Sequence, residues 1–409
     1  MKAIVFHGVG DIRLEDVPEP RIEQSMDAVV RITASAICGT DLHFVRGTIT
    51  GMKKGTVLGH EGVGVVEEVG QDVRNFKPGD RVVVCSTIAC GSCSYCRAGY
   101  HSQCDHANPN GPAAGTAFFG GPGSSGPFQG MQSERVRVPF AHVGMVKLPD
   151  IVTDEQAILL SDIFPTGYFG ADMAEIRAGD TVGVFGCGPV GQFAIASARL
   201  LGAGRILAID RVPSRLEMAA TQGAETINFD EEDPVEAVRR LTLDIGVDRA
   251  IDAVGVDAEP PSAGPAAKKA TKERAQHERE VKEVAPQAKP QGDSWKPGQA
   301  PSQALSWAVE ALAKAGTLSI VGVYPEKARL FPIGNAVEKN LTMQMGNCPH
   351  RRYVPKLLEL VVSGAVDPTE VLTQEAPLTD ALEAYENFDR REAGWVKVML
   401  QPQPSLTSR

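Results

Sequence analysis

Between Thr181 and Leu201 the chain reads as an apolar run, a glycine-rich turn and a second apolar run of different period. Thr181-Val182-Gly183-Val184-Phe185 has the length and β-branched content of a buried strand. Gly186-Cys187-Gly188-Pro189-Val190-Gly191 follows as G-x-G-x-x-G, and Pro189 to Leu201 has helical spacing. A strand that passes through such a turn straight into a helix commits its surroundings to a parallel sheet, because parallel neighbours need a crossover of about a dozen residues. The flanking sequence agrees. Arg205–Asp210, Thr226–Asn228 and Asp248–Val254 read as further strands, with helices at Arg215–Gln222 and Val235–Leu241 between them. The expected architecture is α/β, a doubly wound parallel sheet with helices on both faces.

The same turn points to a ligand. Its glycines allow backbone to approach a pyrophosphate closely at a helix N-terminus. Gly186, Gly188, Pro189, Val190 and Gly191 are therefore candidate contacts for a dinucleotide. Asp210 ends the next strand, where a carboxylate can bond the hydroxyls of an adenosine ribose. Its charge would repel a 2′-phosphate, so NAD is expected rather than NADP. Arg211, beside it, is the cation nearest that contact in the sequence.

Residues 1–150 have another texture. Short strand-like runs, Ala28–Ala34, Gly62–Val69 and Arg81–Val84, are separated by Gly, Pro and Asp. Within this region Cys90, Cys93, Cys96 and Cys104 form C-x2-C-x2-C-x7-C. Four thiolates so spaced can surround one zinc ion at about 2.3 Å, and four sulfurs leave no open position, so the site would be structural. Free thiols, disulfides and an iron–sulfur cluster are the other readings of this spacing.

Cys38-Gly39-Thr40-Asp41-Leu42-His43, Gly59-His60-Glu61-Gly62, the four-cysteine loop and the glycine-rich turn stand in one order along the chain. In these motifs and their order the chain resembles the zinc-dependent medium-chain alcohol dehydrogenases, over essentially its whole length except residues 259–300. The resemblance implies a GroES-like β-rich catalytic domain, residues 1–162 and 346–409, carrying two zinc sites. It implies a Rossmann NAD-binding domain at 163–345. Cys38 and His60 would be two ligands of a catalytic zinc, and the third falls on Asp162 in Ser161-Asp162-Ile163-Phe164. Asp at that position is similar to the glutathione-independent formaldehyde dehydrogenase branch. Carboxylate oxygen binds zinc at about 2.0–2.2 Å, and one thiolate plus one carboxylate balance the ion's charge.

By the same resemblance Glu61 would bind the metal transiently and Asp41 would orient His60 from behind. Thr40 and His43 would carry the proton that an alcohol must lose before hydride can leave, by way of the cofactor ribose. Val190 and Thr166 would lie against the nicotinamide. Arg351 or Arg352 could neutralise the pyrophosphate, with solvated surface charge as the plain alternative. Ser86 stands where the family commonly has a bulky aromatic, which implies a roomier pocket, and the loop 111–130 with Phe118, Phe119 and Phe128 could overhang it.

Composition narrows the remaining choices. Lys plus Arg is 41 and Asp plus Glu is 51, a net charge of −10, which argues against nucleic acid or an anionic membrane as partner. The apolar start of the chain is interrupted by Asp11, and the uncharged run Thr181–Ala198 is broken by glycines, so neither a secretory signal nor a membrane span is expected. Eight cysteines without a disulfide-like framework suit a reducing, cytoplasmic setting. Glu259 to Ala300 has six prolines and few large apolar groups, and is expected to be a mobile insertion, with a charged helix at Thr271–Ala285 paired through Glu278 and Lys282.

The expected function is hydride transfer between a small alcohol or aldehyde and NAD, with two zinc ions per subunit in a homodimer or homotetramer. The alternative is formaldehyde dehydrogenase or aldehyde dismutase activity with tightly held NAD. A non-catalytic NAD-binding interaction protein is the reading from a different class.

Overall fold

The computed structural model describes residues 1–111, 113 and 115–402. The chain forms two compact units. The first comprises Met1–Pro165, Lys289–Trp295 and the chain from Cys348 onward; the second comprises Thr166–Ala288 and Lys296–Asn347.

In the first unit the strand Ala28–Ile37 is the organising element. Its β-branched and small residues are buried along nearly its whole length. It pairs antiparallel with Gly62–Val69, Arg135–Val138 and Val398–Gln401. The sheet runs in the order Gln374–Pro377, Val398–Gln401, Ala28–Ile37, Gly62–Val69, Arg81–Val84, Met145–Lys147. Gly64 is needed where its register with Ala28–Ile37 shifts, since a Cβ there would lie 2.1 Å from the Arg31 carbonyl oxygen. Val30, Ile32, Val66, Val82 and Val84 form one packed face, which continues into the four-cysteine loop. A smaller sheet joins Lys2–Gly8 to Asp11–Asp16 and Thr56–Val57.

The second unit is a six-stranded parallel sheet in the order Glu225–Asn228, Arg205–Asp210, Thr181–Phe185, Val247–Asp252, Leu312–Ile320, Thr342–Met345. The order reverses direction at Thr181–Phe185, the strand that feeds the glycine-rich turn. In such sheets the crevice at that reversal is where a dinucleotide binds. Among the described residues no helix is long and apolar enough to cross a membrane.

The segment 259–300 departs from expectation. It contains a 21-residue helix, Gly264–Val284, longer than the charged helix expected at 271–285. Its buried residues are Ala266, Ala270, His277, Glu280 and Val284, a stripe at helical spacing. The stripe holds one large apolar residue, so hydrophobicity alone did not reveal it. Glu280 is held by the Ser302 amide at 3.1 Å and the Ser302 hydroxyl at 3.0 Å, and Lys269 reaches Asp233 at 2.6 Å. Glu278 pairs with Arg274 at 3.0 Å and not with Lys282, because the same one-turn spacing is available on its N-terminal side. Beyond the helix, Trp295 packs into the first unit's core among Ile4, Phe6 and Leu42.

Candidate metal centres and cofactor turn

The side chains that could hold an ion come from three local structures of the first unit. The helix Gly39–Arg46 starts at Cys38, whose backbone N–H donates to the Asp41 carboxylate at 3.0 Å in a reciprocal cap. A thiol at a helix N-terminus faces the positive end of the peptide dipoles. His60 and Glu61 occupy the turn entering Gly62–Val69. There Gly59 has φ of 92°, and a Cβ would strike Gln132 at 2.5 Å. Asp162 caps the helix Asp154–Ser161 at its C-terminus, in a break before the helix Ile163–Met173. Ser161 fixes that break by donating to the Val84 carbonyl at 2.5 Å and accepting from the Gly62 amide at 3.0 Å.

These pieces converge. Cys38, His60, Glu61 and Asp162 are all buried, and each offers a ligand atom within 4.8 Å of the others. His60 Nε2 lies 3.3 Å from Asp162 Oδ2, and Cys38 Sγ lies 3.6 Å from the same oxygen. Electron-rich atoms gathered in a dry site call for a positive charge between them. The protein groups alone already show this. Burial opposes a charged His60, yet Asp41 and Cys38, with the bond to Asp162, carry its pKa well above the ordinary value. Burial would raise Asp162, but hydrogen bonds from His350 and His60 hold it well below the usual carboxylate range. Burial, followed by the Asp162 charge, pushes the Cys38 thiol up. The donor set fits zinc, which takes mixed sulfur, nitrogen and oxygen ligands.

The surroundings are equally specific. Asp41 Oδ1 lies 3.3 Å from His60 Nδ1, and its Oδ2 accepts from Gln132 at 3.2 Å. Gln132 is held in turn by Tyr385, whose hydroxyl donates at 2.8 Å. Phe118 stands edge-on to the His60 ring at 6.2 Å and stacks near Phe44. Phe119 is also buried. Pro112 and Ala114 of the same loop lie outside the described residues. Thr40 and His43 are on the helix Gly39–Arg46 at i, i+3, so they are neighbours on one face; His43 is buried and Thr40 half-buried. Ser86 is buried.

Two residues of this neighbourhood escaped the sequence reading. Lys397 is fully buried, with its ammonium 2.5 Å from Glu61 Oε1 and 3.0 Å from the Ile37 carbonyl. A lone lysine inside the apolar run Val396–Leu400 was the available signal. His350 is also buried, its Nε2 2.6 Å from Asp162 Oδ1. Nothing in its local sequence marks it.

The four cysteines form the second group. Cys90, Cys93, Cys96 and Cys104 are buried, with their sulfurs within 4.8 Å of one another. Backbone amides point at these sulfurs: Ser92 and Cys93 at Cys90, Cys96 at Cys93, Cys90 and Ala107 at Cys104. Burial works against a Cys90 thiolate, but the hydroxyl and amide of Ser92 and the amide of Cys93 bring it down to about 6. Burial pushes Cys96 and Cys104 the other way, and it is the convergence of four buried sulfurs with amides aimed at them that makes a metal-binding cage.

In the second unit the turn has two glycines fixed by the protein itself. Gly186 has φ of 90°, and a Cβ on Gly191 would lie 1.9 Å from the Gly186 carbonyl oxygen. Gly188 is different, since a Cβ there would meet only Arg215 Nη1, at 3.8 Å. Its lack of a side chain leaves open space at the start of the helix Pro189–Leu200, where a phosphate would approach. Asp210 is buried; its Oδ2 accepts from the Cys187 amide at 2.7 Å, and its Oδ1 accepts from the amides of Arg211 and Val212. The Arg211 guanidinium turns to Asp230 at 3.5 Å and the Pro260 carbonyl at 3.3 Å. Val190 and Thr166 are half-buried. Arg352, in the first unit, is exposed with its guanidinium 5.3 Å from the Tyr353 ring centre.

Comparison with known proteins accords with this geometry. Residues 24–150 match the alcohol dehydrogenase GroES-like domain, and residues 189–268 match the zinc-binding dehydrogenase domain. An uncharacterised zinc-type alcohol dehydrogenase-like protein of Bacillus subtilis is 37% identical, over 98% of this chain and 100% of its own. The glutathione-independent formaldehyde dehydrogenase of Bacillus subtilis is 32% identical, over 99% and 98%. The structure of an alcohol dehydrogenase from Thermus sp. ATN1 superposes with a TM-score of 0.80 at 36% identity, covering 98% of this chain and 100% of that one. The chain belongs to the zinc-dependent alcohol dehydrogenase family and is an oxidoreductase that works with zinc and a nicotinamide dinucleotide.

Proposed function

We propose that this dehydrogenase interconverts a small alcohol and its aldehyde at the Cys38–His60–Asp162 centre, with NAD as hydride acceptor. The observation that carries the reading is the convergence of those three donors, with Glu61, inside 4.8 Å. When bound, zinc supplies a Lewis acid for the substrate oxygen and the dinucleotide supplies the hydride acceptor.

The chain's own residues do the rest. Cys38, His60 and Asp162 hold the metal, and Asp41, itself fixed by Gln132, orients His60. Thr40 accepts the substrate's hydroxyl proton and His43 moves it toward release, from adjacent places on one helical face. Glu61 Oε2 is buried with no hydrogen-bond partner among the described residues, which leaves it able to approach the metal while Lys397 holds Oε1. Phe118 beside His60 excludes water. Cys90, Cys93, Cys96 and Cys104 hold a second, structural zinc.

Gly186, Gly188, Pro189, Val190 and Gly191 receive the pyrophosphate, Asp210 selects the unphosphorylated ribose, and Thr166 and Val190 flank the nicotinamide. Arg211 is engaged by Asp230 and Pro260, which weakens its claim on a 2′-phosphate and supports NAD. Arg352 remains the candidate partner of the pyrophosphate. Eight free, buried cysteines support a cytoplasmic setting. The exposed apolar residues Ile333, Val337 and Met345, around the edge strand Thr342–Met345, support a homo-oligomer built by pairing two such edges.

One observation favours a second reading, in which NAD is held between turnovers. The insertion begins against the adenosine end of the turn, where Arg211 meets the Pro260 carbonyl and Ser262 bonds Asp230 at 2.6 Å and 2.9 Å. Formaldehyde, short alcohols, aromatic alcohols and polyols, tested with NAD and NADP and with and without chelator, would decide the substrate class. Chelator-sensitive NADH formation with at least one of them is the expected result. Dinucleotide retained through purification, read by mass spectrometry, would select the second reading; its absence would remove it.

A further inference from the structure

We propose that His350 is the positioning residue for the Asp162 metal ligand, needed because that ligand is a carboxylate. The proposal rests on the ligand set given above. Asp162 divides its two oxygens between different tasks. Oδ2 faces the metal-binding cluster, 3.3 Å from His60 Nε2 and 3.6 Å from Cys38 Sγ. Oδ1 is 2.6 Å from His350 Nε2. A carboxylate brings no proton to that contact, so the hydrogen sits on Nε2 and is donated to Oδ1. The other ring nitrogen, Nδ1, lies 3.1 Å from Thr87 Oγ1, and Thr87 is within 3.4 Å of the Cys348 carbonyl. Both His350 and Thr87 are buried. The ring is therefore gripped at both nitrogens and has one orientation.

The chemistry explains why such a residue belongs here. A thiolate ligand has one donor atom and no second oxygen to satisfy. A carboxylate that gives one oxygen to a metal leaves another that is buried, charged and free to rotate toward the ion. Without a donor, that oxygen would either stay unsatisfied or swing into a two-oxygen grip that fills the position a substrate needs. His350 removes both outcomes by holding Oδ1. It does so from the first residue of the helix His350–Val362, 188 positions along the chain. The cluster of possible ligands contains Glu61 but not His350, so the histidine acts through Asp162 and not on the ion.

The test is a cycle of four full-length proteins: wild type, H350A, D162C and D162C/H350A, with H350Q as the conservative variant. Zinc at the catalytic site is titrated against a chromogenic chelator. H350A should loosen that zinc by about 10–100-fold while the second zinc stays in place. H350Q, whose amide can still donate to Oδ1, should recover most of the loss. In the D162C background the His350 substitution should change zinc affinity less than about twofold, since the oxygen it served is gone.

Cobalt-substituted protein gives a reading that does not need D162C to fold. H350A should alter the visible cobalt spectrum as the carboxylate changes its grip, and H350Q should restore it. An H350A protein with unaltered zinc affinity and spectrum overturns the proposal. So does an equal loss in both backgrounds, which would make His350 merely structural. A wild-type chain that binds a single zinc, lost only when the four cysteines are changed, would overturn the ligand reading and this proposal with it.

Discussion

Lys397 and Glu61 are each fully buried, so either one alone would be a stranded charge beside the metal-binding cluster. Burial pushes the Glu61 carboxyl up against the pull of Lys397. Removing one partner of such a pair costs about 3–5 kcal/mol, whereas replacing both by neutral groups of similar size is nearly neutral. Lys397→Ala should therefore lower stability by about that amount in denaturant unfolding, and Lys397→Met combined with Glu61→Gln should recover most of it. A single Lys397→Ala that unfolds like the wild type would show that the pair carries no such cost. At this scale the cysteine quartet was legible from its spacing, and Cys38 and His60 from the resemblance to a known family. His350 and Lys397 were missed: His350 acts through a contact 188 positions away that no local pattern encodes, and the lone lysine in an apolar run marks Lys397 as unusual without naming its partner.

Elements set the next level, where Asp180 and Arg249 join two neighbouring strands of the parallel sheet. Asp180, just before Thr181–Phe185, accepts from Arg249 Nε at 2.7 Å, and Arg249 also donates to Thr317 at 2.6 Å. Burial would raise the Asp180 pKa, but the bond from Arg249 and the Arg177 amide bring it below the ordinary carboxylate value. A depressed folded pKa gives stability that is present above the unfolded value and is lost as pH falls through the folded one. Asp180→Asn should thus cost about 1–3 kcal/mol at neutral pH, and the gap from wild type should be smaller at an acid pH below the ordinary carboxylate range. A gap that is the same at both pH values would contradict this assignment. The tip of the insertion offers a second check. Trp295 is buried and its amide donates to Asp389 at 2.7 Å, while Asp389 pairs with the buried Arg46 at 2.8 Å. Trp295→Ala should destabilise the first unit by about 3–5 kcal/mol. Its fold was illegible because one aromatic in a proline-rich stretch gives no periodic signal. The glycine-rich turn and the β-α alternation, by contrast, are local patterns and were readable.

Thr342–Met345 is an edge strand with Met343 and Met345 exposed, and Val337 on the preceding helix Ile333–Glu338 is exposed as well, a sheet edge of the kind that pairs with another. Val337→Lys with Met345→Lys should shift the protein toward monomer in sedimentation while leaving its zinc content unchanged. An unaltered sedimentation profile would place the contact elsewhere. Fold class and order of units followed from motif order along the chain; the division of the insertion between them did not, because it depends on where Trp295 packs. Cys38, His60 and Asp162, from separate turns, are proposed to share one ion. An anomalous difference map at the zinc edge, from crystals of the holoprotein, tests it directly. The expected result is a peak bonded to Cys38 Sγ, His60 Nε2 and Asp162 Oδ2, and a second among the four cysteines. A map with density only at the cysteines, or with Asp162 outside the first peak's coordination sphere, would contradict it.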